Sequence, residues 1–261
     1  NTDDPNTGDR TITWVVNDGA DNSAGVTSTI TVAAVNDAPV LSDAGATLAY
    51  SEGDGAQVID AALTISDVDD TNIESASVSI SAGFVSGEDV LAFTDTGTIT
   101  GSYNATTGVL TLSGSDTLAN YEAALRSVTY ENTSELPSTT NRVISFQVDD
   151  GAALGSGTRT LTVASINDDP TNAGSLPTDL SFLEDTQGKL DLSAIDLSDV
   201  DAGSGNLTLT ITSANGHLQT LGWPGVTLGG SQTELILTGN LTDLNDFLND
   251  INSIDYEHAT P

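Results

Sequence analysis

Short segments that alternate apolar with small polar residues dominate the chain. They lie at residues 75–80, 98–100, 109–112, 143–146 and 159–163. Side chains of a β-strand point alternately to its two faces, so a period of two indicates strands with one buried face. Gly, Asn and Asp residues separate these segments at short intervals, which is typical of the turns of a β-sandwich. The pattern therefore predicts an all-β fold.

Two stretches have helical spacing instead. The first begins near Thr117 and places Leu118, Tyr121 and Leu125 on one face. The second places on one face Leu244, Phe247, Leu248 and Ile251. Apolar residues three and four positions apart share a helix face, so each stretch predicts a short helix. We expect each helix to cross between two strands and to cap the core.

The chain contains an internal repeat of about 130 residues. Residues 10–19 match 142–151, residues 65–69 match 197–201, and residues 110–114 match 235–239. A fixed period of this kind predicts tandem copies of one structural module.

This repeat divides the chain into three predicted domains. Residues 1–38 carry the last two strands of a repeat, 39–169 a complete repeat, and 170–261 a repeat that lacks its last two strands. We expect the chain to be one period of a longer array. The alternative is a self-assembling filament subunit, in which the N-terminal strands complete the last repeat of a neighbouring copy.

The charge is strongly negative. The chain has 38 Asp and Glu against 5 Lys and Arg, a formal net charge of −33. Such a surface repels phosphates, which argues against nucleic acid and anionic membrane surfaces as partners. No apolar run approaches the ~20 residues of a membrane span, so membrane insertion is not expected. Hydrophobic residues make up 37% of the chain, which favours folded strands over a disordered acidic tail.

Cysteine is absent, so neither disulfides nor thiolate metal sites can form. Carboxylates clustered at ~4 Å repel each other by roughly 4 kcal/mol per pair at an effective dielectric of about 20, so clustered acids favour a bound cation.

Oxygen-bearing side chains recur where the repeats join. The linkers hold Asn36 and Asp37, and then Asn167 and Asp168. Each linker is followed by a pair of alternating acids, and a further acid ends the strand of residues 142–150. These candidate ligands are Asp67, Asp69, Asp199, Asp201, Asp150 and its repeat counterpart Asp18. Ca²⁺ takes six to eight oxygen ligands, whereas Mg²⁺ prefers water and a rigid octahedron. The set predicts calcium, although such residues are also ordinary turn formers in solvated loops.

Three short motifs carry a resemblance to a known family. Residues 67–72 read DVDDTN, residues 35–39 read VNDAP, and residues 148–151 read VDDG. Together they resemble the cadherin pattern of a DxD motif, a DxND-type linker and a terminal Asp-Gly. The stretch 118–132 with the strand 143–151 is similar to the cadherin-like, chondroitin-sulfate-proteoglycan-type repeats of large bacterial surface proteins and RTX-type adhesins. The resemblance implies tandem Ig-like or cadherin-like β-sandwiches.

The resemblance also implies further calcium ligands. Glu52 and Glu131 would lie at the far end of their repeat and join the second linker, with Asn167, Asp168, Asp199 and Asp201. The first linker would lack such glutamates unless another copy supplied Glu184 and Glu257.

Other side chains have simpler interpretations. Trp14 matches Phe146 and is expected in a core, and the scarce cations Arg10 and Arg142 are expected to pair with internal acids. Trp223, in the Gly-rich loop 222–230, is a candidate contact for a glycan. Glycoside hydrolysis needs an acid and a base across a cleft, and acids confined to repeat boundaries offer none, so we expect no enzyme.

The function predicted from the sequence is mechanical. We expect a calcium-rigidified stalk of a secreted or cell-surface bacterial adhesin or fibre. Its partners would be further copies of the same repeat, with a cell-surface glycan or protein as the alternative.

Overall fold

The computed structural model describes residues 3–42, 47–178, 180–183 and 186–258. These residues form short strands with two helices, so the predicted all-β sandwich fold is confirmed. The chain divides into two compact units, Asn1–Ser165 and Ile166–Pro261. The three predicted domains and their limits stay predictions.

Unit 1 begins with a hairpin of two antiparallel strands, β1 (Arg10–Trp14) and β2 (Val26–Ile30). Every residue of both strands is exposed. Trp14 is 59% exposed, and its indole donates a hydrogen bond to the Ser28 hydroxyl. The prediction of a core position for Trp14 is therefore wrong for this structure, because no second sheet covers the hairpin's apolar face among the described residues.

The rest of unit 1 is a sandwich. Its strands are β3 (Val40–Ser42), β4 (Leu48–Ser51), β5 (Gln57–Val58), β6 (Thr64–Ser66), β7 (Asn72–Ala82), β8 (Asp89–Ala92), β9 (Thr100–Asn104), β10 (Val109–Thr117), β11 (Thr129–Asn132), β12 (Arg142–Asp149) and β13 (Leu154–Ala164). One sheet has the order β4-β13-β12-β7-β10-β9, a second has β5-β11-β8, and β3 pairs with β6. All pairings are antiparallel except β13 with β4.

The alternation predicted from the sequence is seen in the burial of these strands. Along β12 the residues Arg142, Ile144, Phe146 and Val148 are buried, and those between them are more exposed. Their apolar side chains pack with those of β7 and β10 into one core. Tyr50 and Tyr130 meet there edge to face, with ring centroids 5.1 Å apart.

The first predicted helix is confirmed as α1 (Leu118–Arg126). The Thr117 side chain accepts a hydrogen bond from the backbone N–H of Asn120 and so caps the helix. Tyr121 and Leu125 are buried, and α1 carries the chain from β10 in one sheet to β11 in the other.

Unit 2 has the strands β14 (Thr171–Asn172), β15 (Gln187–Lys189), β16 (Leu197–Ser198), β17 (Asn206–Thr212), β18 (Gly216–Thr220), β19 (Thr227–Ser231), β20 (Glu234–Asn240) and β21 (Ile254–His258). The sheets are β15-β21-β18 and β17-β20-β19, and β14 pairs with β16.

The second predicted helix is α2 (Leu241–Asn249). Leu244, Phe247 and Leu248 are buried in the core of unit 2 as predicted. Ile251, expected on the same face, lies beyond the end of α2 and is exposed. The helix ends at Asn249, so the helical period no longer applies at residue 251.

The predicted internal pairing of Arg142 is confirmed. Its guanidinium is fully buried, and it contacts the equally buried carboxylate of Asp89 on β8 at 3.0 Å. Arg10, expected to pair in the same way, is exposed and donates to the backbone carbonyls of Gly8 and Asn6. In the described part of unit 1, no counterpart of β8 lies against strand β1, which carries Arg10.

Candidate metal centre

The first linker is held against the sandwich of unit 1 by hydrogen bonds to two carboxylates. The Asn36 side-chain amide donates to Asp150 Oδ2 at 3.0 Å. The backbone N–H of Asp37 donates to Asp69 Oδ2 at 3.2 Å. Asp150 follows β12, and Asp69 follows β6, so residues distant in sequence meet at this point.

The acids after β6 lie in a turn. Asp67 Oδ1 accepts from the backbone N–H groups of Asp69 and Asp70, at 3.1 and 3.0 Å. This is the side-chain to backbone bonding that Asp residues favour in turns. Asp67 and Asp69 therefore lie in a turn and not in a strand, because β6 ends at Ser66.

The same turn also brings Asp70 close to these acids. We call Asp67, Asp69, Asp70 and Asp150 the first cluster. Carboxylate oxygens of Asp67, Asp70 and Asp150 lie within 4.8 Å of one another. Sequence reasoning missed Asp70, because strict alternation would direct its side chain to the opposite face. Its position directly after the DxD motif was the available signal.

Two oxygens of this cluster are buried without a hydrogen-bond partner among the described residues. They are Asp67 Oδ2 and Asp69 Oδ1. Buried polar atoms in folded proteins nearly always have a partner, so an unmatched carboxylate oxygen favours a bound ion or water.

The electrostatics of the cluster follow from these contacts. Desolvation, together with the neighbouring Asp67 carboxylate, raises the pKa of Asp69 even though the Asp37 N–H lowers it. The pKa of Asp150 is lowered. Desolvation alone would raise this pKa, but hydrogen bonds from the Asn36 amide and from the N–H groups of Ala153 and Ala152 outweigh the effect of desolvation.

Unit 2 reproduces the arrangement with fewer acids. The Asp168 N–H donates to Asp201 Oδ2 at 2.9 Å, and Asp199 Oδ1 accepts from the N–H groups of Asp201 and Ala202. The Asn167 amide donates to the carbonyl of Asp168. The backbone hydrogen bond from Asp168 is the main cause of a lowered pKa at Asp201. Ala202 stands where unit 1 has Asp70, so this turn carries one carboxylate less.

The predicted glutamates at the far end of unit 1 are only partly together. Carboxylate oxygens of Glu52 and Glu135 lie within 4.8 Å of each other. Glu131 lies on β11, opposite Val90 of β8. Glu135 was not predicted. It lies in the loop that follows Glu131, and this loop turns back toward Glu52.

Three further predicted ligands are Asp18, Glu184 and Glu257. Asp18 Oδ1 accepts from the N–H groups of Ala20 and Asp21 within the hairpin, and these bonds lower its pKa. Glu257 lies on β21 between Gln187 and His217 and is exposed. Glu184 lies outside the described residues.

The donor set of the first cluster fits calcium in kind. Carboxylate oxygens of Asp67, Asp70 and Asp150 converge, and Asp69 lies in the same turn. Asn36 directs its amide NH₂ group to Asp150. Hard oxygen donors with several negative charges are what Ca²⁺ takes in proteins.

Trp223 is less suited to bind a glycan than the sequence suggested. Its ring packs edge to face on Phe247, with centroids 5.8 Å apart, and it contacts the core of unit 2. A glycan partner for the loop 222–230 stays a prediction.

Part of the chain is similar in sequence to a curated protein. No family model matches it. Halomucin of Haloquadratum walsbyi (strain DSM 16790 / HBSQ001) is 36% identical over 128 residues, which is 47% of this chain and 1% of halomucin. The chain thus spans about a hundredth of this curated relative.

Solved structures that resemble the chain include cadherin-domain proteins. The extracellular cadherin domains 1–5 of protocadherin gamma B2 match with TM-score 0.31 and 14% identity, over 89% of this chain and 39% of that one. Domains 1–6 of the surface layer protein SbsC match with TM-score 0.28 and 10% identity, over 90% and 25%. Both TM-scores are below 0.5, so these likenesses say nothing of function.

Neither of the two described helices is long and apolar enough to cross a membrane.

Proposed function

We propose that this chain is a calcium-rigidified repeat segment of an extracellular or cell-surface protein, where it serves as a structural stalk in adhesion. The similarity of half the chain to part of halomucin supports a place in a large surface protein. The segment is a structural element and not an enzyme.

The proposal rests on one observation above all. Three carboxylates from two separate parts of the sandwich converge within 4.8 Å at the point where the first linker is held. Two carboxylate oxygens there are buried without a hydrogen-bond partner among the described residues. Mutual repulsion among these groups disfavours the fold unless a cation is bound.

Calcium would act by fixing the linker. Asn36 and Asp37 already contact Asp150 and Asp69, and an ion shared by the cluster would hold residues 35–39 against the sandwich more firmly. A metal that binds the assembled cluster but not the dispersed chain stabilises the folded state by mass action. The weaker acid set of unit 2 would bind the ion less tightly, since affinity depends on the number of ligand charges.

Calorimetric titration of the metal-free chain with calcium tests this proposal. We expect binding to the wild type, and a loss of at least about tenfold in the tighter affinity for Asp67→Asn, because the ligand charge is reduced. Asparagine keeps an acceptor for the N–H groups of Asp69 and Asp70, so the turn is retained.

The matched control is Asp246→Asn, an exposed acid on α2 with the same change in charge. Equal affinities of the two variants, or no heat of binding in the wild type at millimolar calcium, would refute a site at Asp67. Circular dichroism without calcium checks that both variants are folded.

A further inference from the structure

Four Asn-x-Ser/Thr sequons occur in the chain, and the structure distinguishes them. They begin at Asn104, Asn132, Asn206 and Asn240. This tripeptide is the acceptor motif for N-linked glycans, which are attached to exposed segments of secreted proteins. The glycan is bound to the side-chain amide nitrogen of the asparagine. The surroundings of that nitrogen therefore decide which sequon can serve as an acceptor in the folded chain.

Two of these amide nitrogens are engaged with acids inside the packed structure. Asn132 is 6% exposed, and its amide nitrogen donates to the buried carboxylate of Asp89 at 3.0 Å. Asn240 caps α2 and is half-buried, and its amide nitrogen donates to Asp243 Oδ2 at 2.7 Å. An enzyme would reach either nitrogen only after local unfolding.

The third asparagine, Asn206, is exposed but lies in a paired strand. It begins β17 and lies opposite Asn240 of β20. In its sequon, the Thr208 hydroxyl is hydrogen-bonded to the Thr238 hydroxyl at 3.1 Å. A glycan transferase recognises the hydroxyl of the sequon, and here that hydroxyl is engaged and the backbone is extended. Asn206 is therefore a poor acceptor while the strand is paired.

The sequon at Asn104 has none of these obstacles. Asn104 ends β9, and the turn 105–108 joins this strand to β10. Asn104, Ala105 and Thr106 are all exposed. The side-chain oxygen of Asn104 accepts from the backbone N–H groups of Thr106 at 2.9 Å and Thr107 at 3.3 Å. This is an Asx turn, which bends the chain tightly around the sequon.

The Asx turn leaves both groups that glycan transfer needs available. It occupies the side-chain oxygen of Asn104 but not the nitrogen. Across the described ranges, neither Asn104 Nδ2 nor the Thr106 hydroxyl has a hydrogen-bond partner in the protein. The nitrogen is thus open to solvent, and the hydroxyl is free to be recognised by an enzyme.

We propose that Asn104 is an N-glycosylation site. The donor would be an oligosaccharide linked to a lipid diphosphate. A bond forms between Asn104 Nδ2 and the anomeric carbon of the first sugar, while the bond from that carbon to the diphosphate oxygen breaks. The lipid diphosphate leaves with the bonding electrons, and the amide nitrogen loses one proton. No atom is oxidised or reduced.

A glycan at this position would protect one edge of unit 1. Asn104 lies at the end of β9, which is the outer strand of the sheet β4-β13-β12-β7-β10-β9. The unpaired backbone groups of an edge strand are a template for pairing with another chain. A bulky, solubilising glycan beside β9 would hinder such pairing. The inference rests on the proposed extracellular or cell-surface location, but calcium takes no part in it.

Glycan transfer to the purified, folded chain tests the acceptor. The probe is a lipid diphosphate-linked oligosaccharide with a purified single-subunit oligosaccharyltransferase, and mass spectrometry of peptides cut at acidic residues locates the glycan. Short synthetic peptides that contain each sequon serve as unfolded references, because they report the enzyme's intrinsic preference. We expect Asn104 to be modified about as fast in the folded chain as in its peptide. The other three asparagines should react at least about tenfold more slowly than their peptides, because they require local unfolding.

The matched variants are Thr106→Val and Thr106→Ser in the same exposed turn. Both keep the backbone N–H that bonds to the Asn104 side chain, and only the serine keeps the hydroxyl. We expect Thr106→Val to abolish transfer to Asn104 and Thr106→Ser to retain it. Circular dichroism checks that both variants are folded.

Glycopeptide mapping of the protein recovered from its own cell surface shows whether the site is used, and a glycan on Asn104 is expected. An unmodified Asn104 in that protein would overturn the proposal and leave the calorimetric result at Asp67 unaffected. So would a folded chain in which Asn104 reacts no faster than Asn132, or transfer that Thr106→Val leaves unchanged. Recovery of the protein from the cytoplasm alone would contradict the proposed location as well.

Discussion

At the scale of single residues, one buried ion pair organises the sandwich of unit 1. The Asp89 carboxylate accepts from Arg142, from the Tyr130 hydroxyl at 2.6 Å and from the Asn132 amide at 3.0 Å. Arg142 also donates to the carbonyls of Ser138 and Thr140. Both charges are thus removed from water but fully hydrogen-bonded, a condition under which a buried pair is tolerated. Desolvation and the hydrogen bond to Asp89 raise the pKa of Tyr130, so its hydroxyl stays a donor.

The first prediction at this scale concerns Asp89→Asn. The substitution keeps the shape of the side chain but leaves the buried Arg142 without its nearest negative charge. Breaking a buried pair in this way costs about 3–5 kcal/mol of unfolding free energy. Urea unfolding at pH 7 measures it, with Asp246→Asn as a surface control that should stay within about 0.5 kcal/mol of the wild type. A cost below about 1 kcal/mol would mean that Arg142 is not held by its charge partner.

At the scale of elements, strands form only where they have a partner. Residues 48–51 form β4 beside β13, whereas the corresponding residues 180–183 form no strand. The helices depend less on distant partners, because their caps are local. Asp116, which precedes the N-cap residue Thr117, accepts from the Thr98 hydroxyl, the Asn120 amide and the Thr117 N–H. It so joins the helix start to the loop before β9.

Those contacts predict a pH dependence at the start of α1. The Thr98 hydroxyl, followed by Asn120 and the Thr117 N–H, lowers the pKa of Asp116 below its ordinary value of 3.8. A carboxyl with a lowered pKa in the folded state stabilises the fold above pH 3.8, and this contribution is lost as the pH falls through the lowered pKa. Asp116→Asn should therefore be less stable than the wild type near neutral pH, with a difference that shrinks toward pH 2.

Unfolding free energies from urea titrations between about pH 2 and 6 provide the measurement. Thr98→Val is the companion variant: it keeps the carboxylate but removes its strongest donor, and should show a weaker pH dependence than the wild type. A difference between Asp116→Asn and wild type that is constant with pH would contradict the role assigned to the charge.

At the scale of the whole molecule, the net charge of −33 requires counter-ions. The proposed calcium sites would replace diffuse screening by ions at fixed points along the chain. Small-angle scattering with calcium and with chelator should then differ: removal of the ion should change the maximum dimension and give the profile of a more flexible particle.

Salt at about 0.15 M in both samples keeps long-range screening equal, with a Debye length of about 8 Å. The double variant Asp67→Asn, Asp150→Asn removes only the first of the proposed sites, so its profiles with calcium and with chelator should differ less than those of the wild type. A wild-type profile that is unchanged by chelator would count against the proposal that calcium fixes the linkers.

Much of the candidate site could be predicted from the sequence, because the acids recur with the repeat. The structure places Asn36 beside Asp150 and the backbone N–H of Asp37 beside Asp69, and Asp67 close to Asp150. Their role as metal ligands stays a prediction. Asp70 and Glu135 could not be foreseen, since a turn and a loop, rather than a periodic element, direct their side chains. The exposure of Trp14 was missed for a related reason: the repeat shows which residues are equivalent but not whether each copy has the sheet that buries them.

The sequence by itself determined the all-β class, the repeat, both helices and the acid-rich linkers, because periodicity, capping and turn chemistry are local properties of the chain. Only the tertiary structure decided that Asp89 neutralises Arg142 and that Asp70 joins the cluster. It also decided that the apolar side chains of β1 and β2 are exposed. Burial and strand pairing depend on residues far apart in sequence, and for that reason equivalent segments such as β4 and residues 180–183 take different conformations.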